Sequence, residues 1–233
     1  MARRRLLTGD ERRRLFDPPV QETAIIGHYT LSAEDVELVG RRYGPANRLG
    51  LAAQIALMRH PGFGLQPEIG LPDVILQYLA AQLFVDPSSF SAYGQRAQTR
   101  TDHADLVARY LGIRPFRRGD LALALNLAAQ AAEYTDRGEP IVRALMVGLK
   151  GERFILPSGD TLERAGLAGR ARARKAAAAA IVEGLSSAEL TRLDELVINN
   201  PDFGMTPLAW LRNFEEAPTA ANINGLLERL RYV

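Results

Sequence analysis

Apolar positions recur at helical spacing along almost the whole chain, and strand-like alternation of useful length is absent. Residues 46–59 are apolar nearly all round (Leu49, Leu51, Ala52, Ala53, Ile55, Ala56, Leu57, Met58), which predicts a central, buried helix. Pro45 sits at its start and His60-Pro61-Gly62 closes it. Upstream, Thr8-x-x-Glu11 has the form of a capping box and opens a short helix that Asp17-Pro18-Pro19 stops after Phe16. A short helix or turn covers 22–27. Ser32 caps the next helix, with Glu34 and Asp35 in its first turn, and that helix ends near Tyr43-Gly44.

Downstream, Pro72 begins a helix through Phe84 with Val74, Ile75, Tyr78, Leu79 and Leu83 inward. Asp86-Pro87 starts a short one that ends at Tyr93. Another runs over 95–111 until Gly112, with Pro115 blocking continuation. Asp120 opens an alanine- and leucine-rich helix ending at Arg137-Gly138, and Pro140 opens one to about Leu149. The break at 151–157 is the expected boundary. Ser158 or Asp160 then caps a long helix to Glu183, and Ser186 or Ser187 the next. Thr206-Pro207 begins a short helix with Trp210 as an anchor, and Thr219 or Asn222 begins the last. The pattern predicts an all-α fold of consecutive small bundles, resembling helix-turn-helix modules, with no sheet. The expected domains are 1–65 with a basic arm, 66–150, and 151–233.

The helix over 95–111 carries Arg96, Arg100 and His103 at i, i+4 and i+7, within one narrow stripe that Val107, Tyr110 and Leu111 continue. Asp102, Asp105 and Arg109 lie on the far side. Anchored by its C-terminal half, such a helix projects its first turns, as a DNA-recognition helix does. The plainer reading is a surface helix with a basic edge. Tyr78 and Tyr93 are open to stacking or phosphate contact, or to core packing with a hydroxyl partner.

Charge sharpens this picture only locally. Net charge is +2, yet residues 1–14 carry six arginines against two acids, and residues 96–118 again six against two. From Glu183 onward eight acids face four arginines. Local basic patches on a balanced chain fit nucleic-acid binding. The arm with Arg3, Arg4 and Arg5 either tracks phosphate or is a disordered tail. Arg48 either meets phosphate or pairs with an acid. The basic residues from Arg164 to Lys175 either form a solvated face or lie beside DNA. Cysteine is absent, which removes disulfides and thiolate sites and suits a reducing cytoplasm. The three histidines lack metal-ligand spacing, and neither a membrane span nor a phosphate-cradling or dinucleotide glycine motif occurs.

Tyr93-x-x-Arg96-x-x-Thr99-Arg100-x-x-His103, followed by Gly112-x-Arg114-Pro115-Phe116, resembles the N-terminal region of the Tn-three family of replicative class II transposon transposases. Arg3-Arg4-Arg5, His28-Tyr29-Thr30-Leu31-Ser32, and Arg42-x-Gly44-Pro45-Ala46-Asn47-Arg48-Leu49-Gly50 match in the same order. The resemblance implies a region that binds double-stranded DNA at the terminal inverted repeats. Its expected contacts are Arg3, Arg4, Arg5, Arg48, Arg96, Gln98, Arg100, His103, Arg114, Arg117, Arg118, Arg172 and Lys175. It also implies that catalysis and its magnesium belong to an acidic triad in a domain beyond this chain. No cofactor, no membrane and no enzymatic activity are expected here, only self-association through the rest of the transposase. A bacterial cytoplasmic, nucleoid-associated location follows. The rival reading is a helical interaction or regulatory module that binds no DNA.

Overall fold

The computed structural model describes residues 5–65, 71–95, 97–201, 204–213, 227 and 231. It is all-α: α1 (Gly9–Phe16), α2 (Glu22–Tyr29), α3 (Ala33–Gly40), α4 (Pro45–Arg59), α5 (Asp73–Leu83), α6 (Ala97–Leu111), α7 (Leu121–Ala132), α8 (Gly138–Gly151), α9 (Gly159–Glu183), α10 (Ser187–Glu195) and α11 (Pro207–Arg212). Capping boxes start three of them, Thr8 with Glu11, Ser32 with Asp35, and Ser186 with Glu189, each satisfying otherwise orphaned amide donors. Thr206 caps α11. Gly112 ends α6 in the left-handed region at φ 62, where a side chain is disfavoured. The helix expected to start at Thr219 or Asn222 lies outside the described residues, apart from single positions.

Packing divides the chain into two compact units, Met1–Lys175 and Ala176–Val233. In the first unit α4 is the hub, as its all-round apolarity requires. One face meets Ile25 and Tyr29 of α2 and Ile75 and Leu79 of α5. The other meets Val39 of α3 and Val107 of α6. A separate core joins Leu6, Leu7 and Leu15 to α7, α8 and the first half of α9. Leu6, Leu7 and α1 therefore share a core with helices more than a hundred residues later, rather than with α2 and α3.

Three expectations change. A two-residue parallel pair, β1 (Arg114–Pro115) with β2 (Phe154–Ile155), exists where no sheet was expected. Its strands are too short to show alternation in sequence. Phe154 and Leu156 are buried, and Leu156 N–H donates to the Gly62 carbonyl at 2.9 Å. The break expected as a boundary is thus a buried crossover inside the first unit. Val74, expected inward, is 46% exposed.

Candidate nucleic-acid interface

The polar stripe of α6 faces α4. His103 is buried, and its Nδ1 lies 3.1 Å from the Tyr93 hydroxyl. Gln54 Nε2 donates to that hydroxyl at 2.7 Å and to the Arg100 carbonyl at 3.0 Å, so the phenol hydrogen is left for His103. Burial, with the Arg42 cation nearby, pushes the His103 imidazole below its usual value, and a weaker pull from Asp102 opposes this. Burial likewise raises the Tyr93 phenol to about 12. His103, expected to bond base edges or phosphate, lies instead as a buried acceptor in an internal chain. Tyr93 takes the core role with a hydroxyl partner. Arg100 is half-buried, its guanidinium donating to the Gly94 carbonyl. What α6 presents outward is Gln98, Thr101, Asp102, Asp105 and Arg109, with Gln98 Nε2 bonded to Asp102 at 2.7 Å. Arg96, Arg3 and Arg4 lie outside the described residues.

Two turns bring expected contacts to solvent. The first is the turn between α3 and α4. Arg48 is exposed and gives its Nε to the Arg42 carbonyl at 3.0 Å. Asn47, considered as a cap, instead donates to the Tyr43 carbonyl at 3.0 Å, because Gly44 is the cap residue. The second is the loop after α6. Arg114 lies over the Phe154 ring at 3.7 Å and pairs with Asp120 at 3.2 Å, so its guanidinium is fixed in direction. The Arg117 N–H donates to Asp120 at 2.8 Å, which chiefly holds that carboxyl below its usual value, against the opposing effect of burial. Arg117 and Arg118 are exposed, and neither forms an ion pair among the described residues.

The remaining basic candidates divide. Arg5 and Lys175 are exposed with no ion pair among the described residues. Arg172 donates to Asn126 at 2.7 Å. Other arginines of the N-terminal patch are spent on structure: Arg12 on Asp160 and the buried Glu163, Arg14 on Glu139. A cleft of about 510 Å³ beside them is floored by Phe16 and Phe63, but its Arg12 and Arg13 are already matched with acids. No cluster of three metal-ligating side chains occurs among the described residues, and no helix there is long and apolar enough to cross a membrane.

The family model described as a domain of unknown function, DUF4158, matches residues 6–168. The chain belongs to this family. Its relatives carry the resemblance read from the motifs. The transposase for transposon Tn501 of Pseudomonas aeruginosa is 33% identical over 99% of this chain. The transposase for transposon Tn21 of Escherichia coli is 34% identical over 99%, and that for Tn1546 of Enterococcus faecium 28% identical over 99%. The chain spans 23% of the length of the first two relatives and 24% of the third. It corresponds to an N-terminal region of a Tn-three type transposase.

In this DUF4158 chain, sequence reasoning missed one polar centre. Asp35 is fully buried, and both its oxygens accept from Arg59, which has a side-chain exposure of 34%. Ser32 N–H and Tyr110 O–H add bonds at 2.8 Å each. Burial pushes the Asp35 carboxyl up, but these donors outweigh it and hold it below the usual range. The only sequence signal was an acid in the first turn of α3, which reads as dipole compensation.

Proposed function

We propose that this chain binds double-stranded DNA and recognises the terminal inverted repeats of a transposon, as part of a Tn-three type transposase acting in transposition. The observation that carries the reading is that, of the expected contacts, Arg5, Arg48, Arg117, Arg118, Arg172 and Lys175 are exposed and form no ion pair among the described residues. All lie in the unit that holds 25 basic against 19 acidic residues, whereas 176–233 holds four against eight. The transposase relatives support the same partner. Arg117, Arg118 and Lys175 meet phosphate, as flexible cations outside helix–core contacts do. Arg114, aimed by Phe154 and Asp120, is the better candidate for a base edge. Arg3, Arg4 and Arg96 enter on sequence alone, and Gln98 and Arg172 as peripheral contacts. Arg100 acts by positioning α6. The Met1–Lys175 unit contacts the repeat, and the segment from Ala176 leads into the next domain.

A mobility shift tests this, comparing a terminal-repeat duplex with a scrambled duplex of equal composition. Preference for the repeat, with log affinity falling linearly with log salt, is the expected result. Equal binding at physiological salt rejects specific recognition. Incubated with magnesium or manganese, the chain is expected to bind the repeat without cutting it, and a specific nick at its boundary would overturn that assignment.

A second reading has its own observation. In the 176–233 unit Ile181, Val197 and Ile198 are 64%, 61% and 62% exposed, among mainly acidic charge. That surface suits a protein partner, and the helical interaction module is the reading that survives if no duplex is bound.

A further inference from the structure

Among the described residues, three aromatic side chains stand almost wholly in solvent: Phe84 at 96%, Tyr43 at 94% and Tyr134 at 89%. Their electrostatic settings differ. Phe84 precedes Asp86, and Tyr134 lies between Glu133 and Asp136. Tyr43 follows Arg41 and Arg42 and precedes Arg48, and no acid occurs anywhere in residues 38–67. Of the three, only Tyr43 combines an exposed ring with a setting that attracts phosphate.

The turn that carries Tyr43 is rigid. Its carbonyl is held by Asn47 Nδ2 at 3.0 Å, Gly44 takes φ 83, and Pro45 locks the first residue of α4. The cations are available. Arg48 uses Nε on the Arg42 carbonyl, which leaves its terminal nitrogens without a bond among the described residues. Arg42 is half-buried with its Nε shielded from solvent, and no ion pair holds its guanidinium among the described residues. Arg41 alone is matched, to Glu37 at 2.6 Å. An aromatic face flanked by arginines on a fixed turn is the arrangement that stacks on a nucleobase while cations hold the backbone. A perfect duplex hides its base faces, so the ring requires a base that is unpaired or unstacked.

We infer that Tyr43 is a stacking contact for an unstacked DNA base, with Arg42 and Arg48 holding the adjoining phosphates. This rests on the DNA-binding reading and adds to it the state of the DNA that the α3–α4 turn takes.

The test uses the full chain and three 30-base-pair probes of one sequence: a perfect duplex, the same duplex with one unpaired 2-aminopurine, and its single strand. Wild type is expected to prefer the bulged duplex and to quench its fluorescence. Tyr43→Ala is expected to lower affinity for the bulged and single-stranded probes about tenfold, to change the perfect duplex less than twofold, and to abolish the extra quenching. Tyr43→Phe keeps all three, since the ring face carries the contact. Melting temperature stays unchanged in both, because the side chain packs against nothing. Wild type binding every probe with Tyr43→Ala equal to it overturns the stacking contact but leaves DNA binding intact. A Tyr43→Phe loss as large as that of Tyr43→Ala overturns it too, in favour of a hydroxyl contact. Failure of wild type to bind any probe overturns both readings.

Discussion

Asp35 shows how much one carboxylate organises. It is the third residue of the α3 capping box, the acceptor for Arg59 of α4, and the acceptor for Tyr110 of α6, so a single side chain ties three helices. Removing one partner of a buried pair leaves the other uncompensated, which costs about 3–5 kcal/mol when both are buried. Arg59 keeps a 34% exposed side chain, so solvent screening reduces this, and Asp35→Asn is expected to cost roughly 2–3 kcal/mol in urea unfolding. A loss below 1 kcal/mol would mean the helices hold without it. The pH dependence has a definite sign. A carboxyl held below its unfolded value stabilises the fold above about pH 4, and that contribution disappears as pH falls through the folded value. The histidines act earlier. His60 stacks on His28 with centroids 3.7 Å apart, and burial, then His28 and Lys150, lowers it to about 4. A depressed imidazole must be charged at the cost of folding, so stability declines from about pH 6.5 towards pH 4. His60→Gln should flatten that part of a melting-temperature profile while leaving the Asp35 step below it. An unchanged slope between pH 6.5 and 4 would assign the decline to His103 instead.

At the level of elements, the packing of α4 against the segment leading into α6 turns on Gly50, and the start of α6 on Arg100. A Cβ on Gly50 would run into the Tyr93 ring, which stands on that face of α4 at the end of the 3-10 turn Pro87–Ala92. Glycine to alanine inside a helix ordinarily gains about 1 kcal/mol. Here overpacking opposes it, and Gly50→Ala is expected to be net destabilising by about 1–2 kcal/mol in chemical denaturation. A stabilised variant would show that Tyr93 moves aside freely. Arg100→Ala removes the bond to the Gly94 carbonyl, so a loss of about 1 kcal/mol in stability is expected. Its effect on DNA should be equal for repeat and scrambled duplexes, whereas a fall in the specificity ratio would restore Arg100 as a base-reading side chain. These same elements mark where sequence reading succeeded and stopped. The α4 helix was legible because its apolar residues leave only one placement, and the capping boxes because they are local. The α6 stripe was not, because Arg100 and His103 share a face with Val107, and a polar side chain on a core stripe finds partners that sequence does not specify. Gln54 lies 46 residues from Arg100 in the chain, Tyr93 lies 10 from His103, and Asp35 lies 24 from Arg59. Such pairings are made by packing, as are the two-residue strands.

Across the whole molecule, charge and core are distributed unequally. Among the described residues, the three apolar clusters draw on none beyond Leu167, within Met1–Lys175. That unit carries the net positive charge, and residues 184–233 contain seven acids against four arginines. Arg117 lies outside every cluster, and Arg117→Ala should weaken repeat and scrambled duplexes alike and flatten the salt slope by about one unit, while an unchanged slope would remove it from the phosphate contacts. Shortening the chain after Glu183, where α9 ends, separates the contributions of the two units to binding. Among the described residues it removes none of the three apolar clusters, and it changes net charge from +2 to +5. The main unfolding transition should therefore stay within about 2 °C, since no buried contact worth 1 kcal/mol is lost. Affinity for duplex DNA should rise about two- to fivefold at 50 mM salt, because repulsion between the acidic segment and phosphate is removed, and the gain should vanish near 0.5 M salt, where screening is nearly complete. Stopped-flow association should show the gain in the on-rate, the signature of long-range steering rather than of a new contact. A shortened chain that melts like the full one but binds the repeat more weakly would show that residues beyond α9 touch the DNA, and that the acidic segment is part of the interface rather than a brake on it.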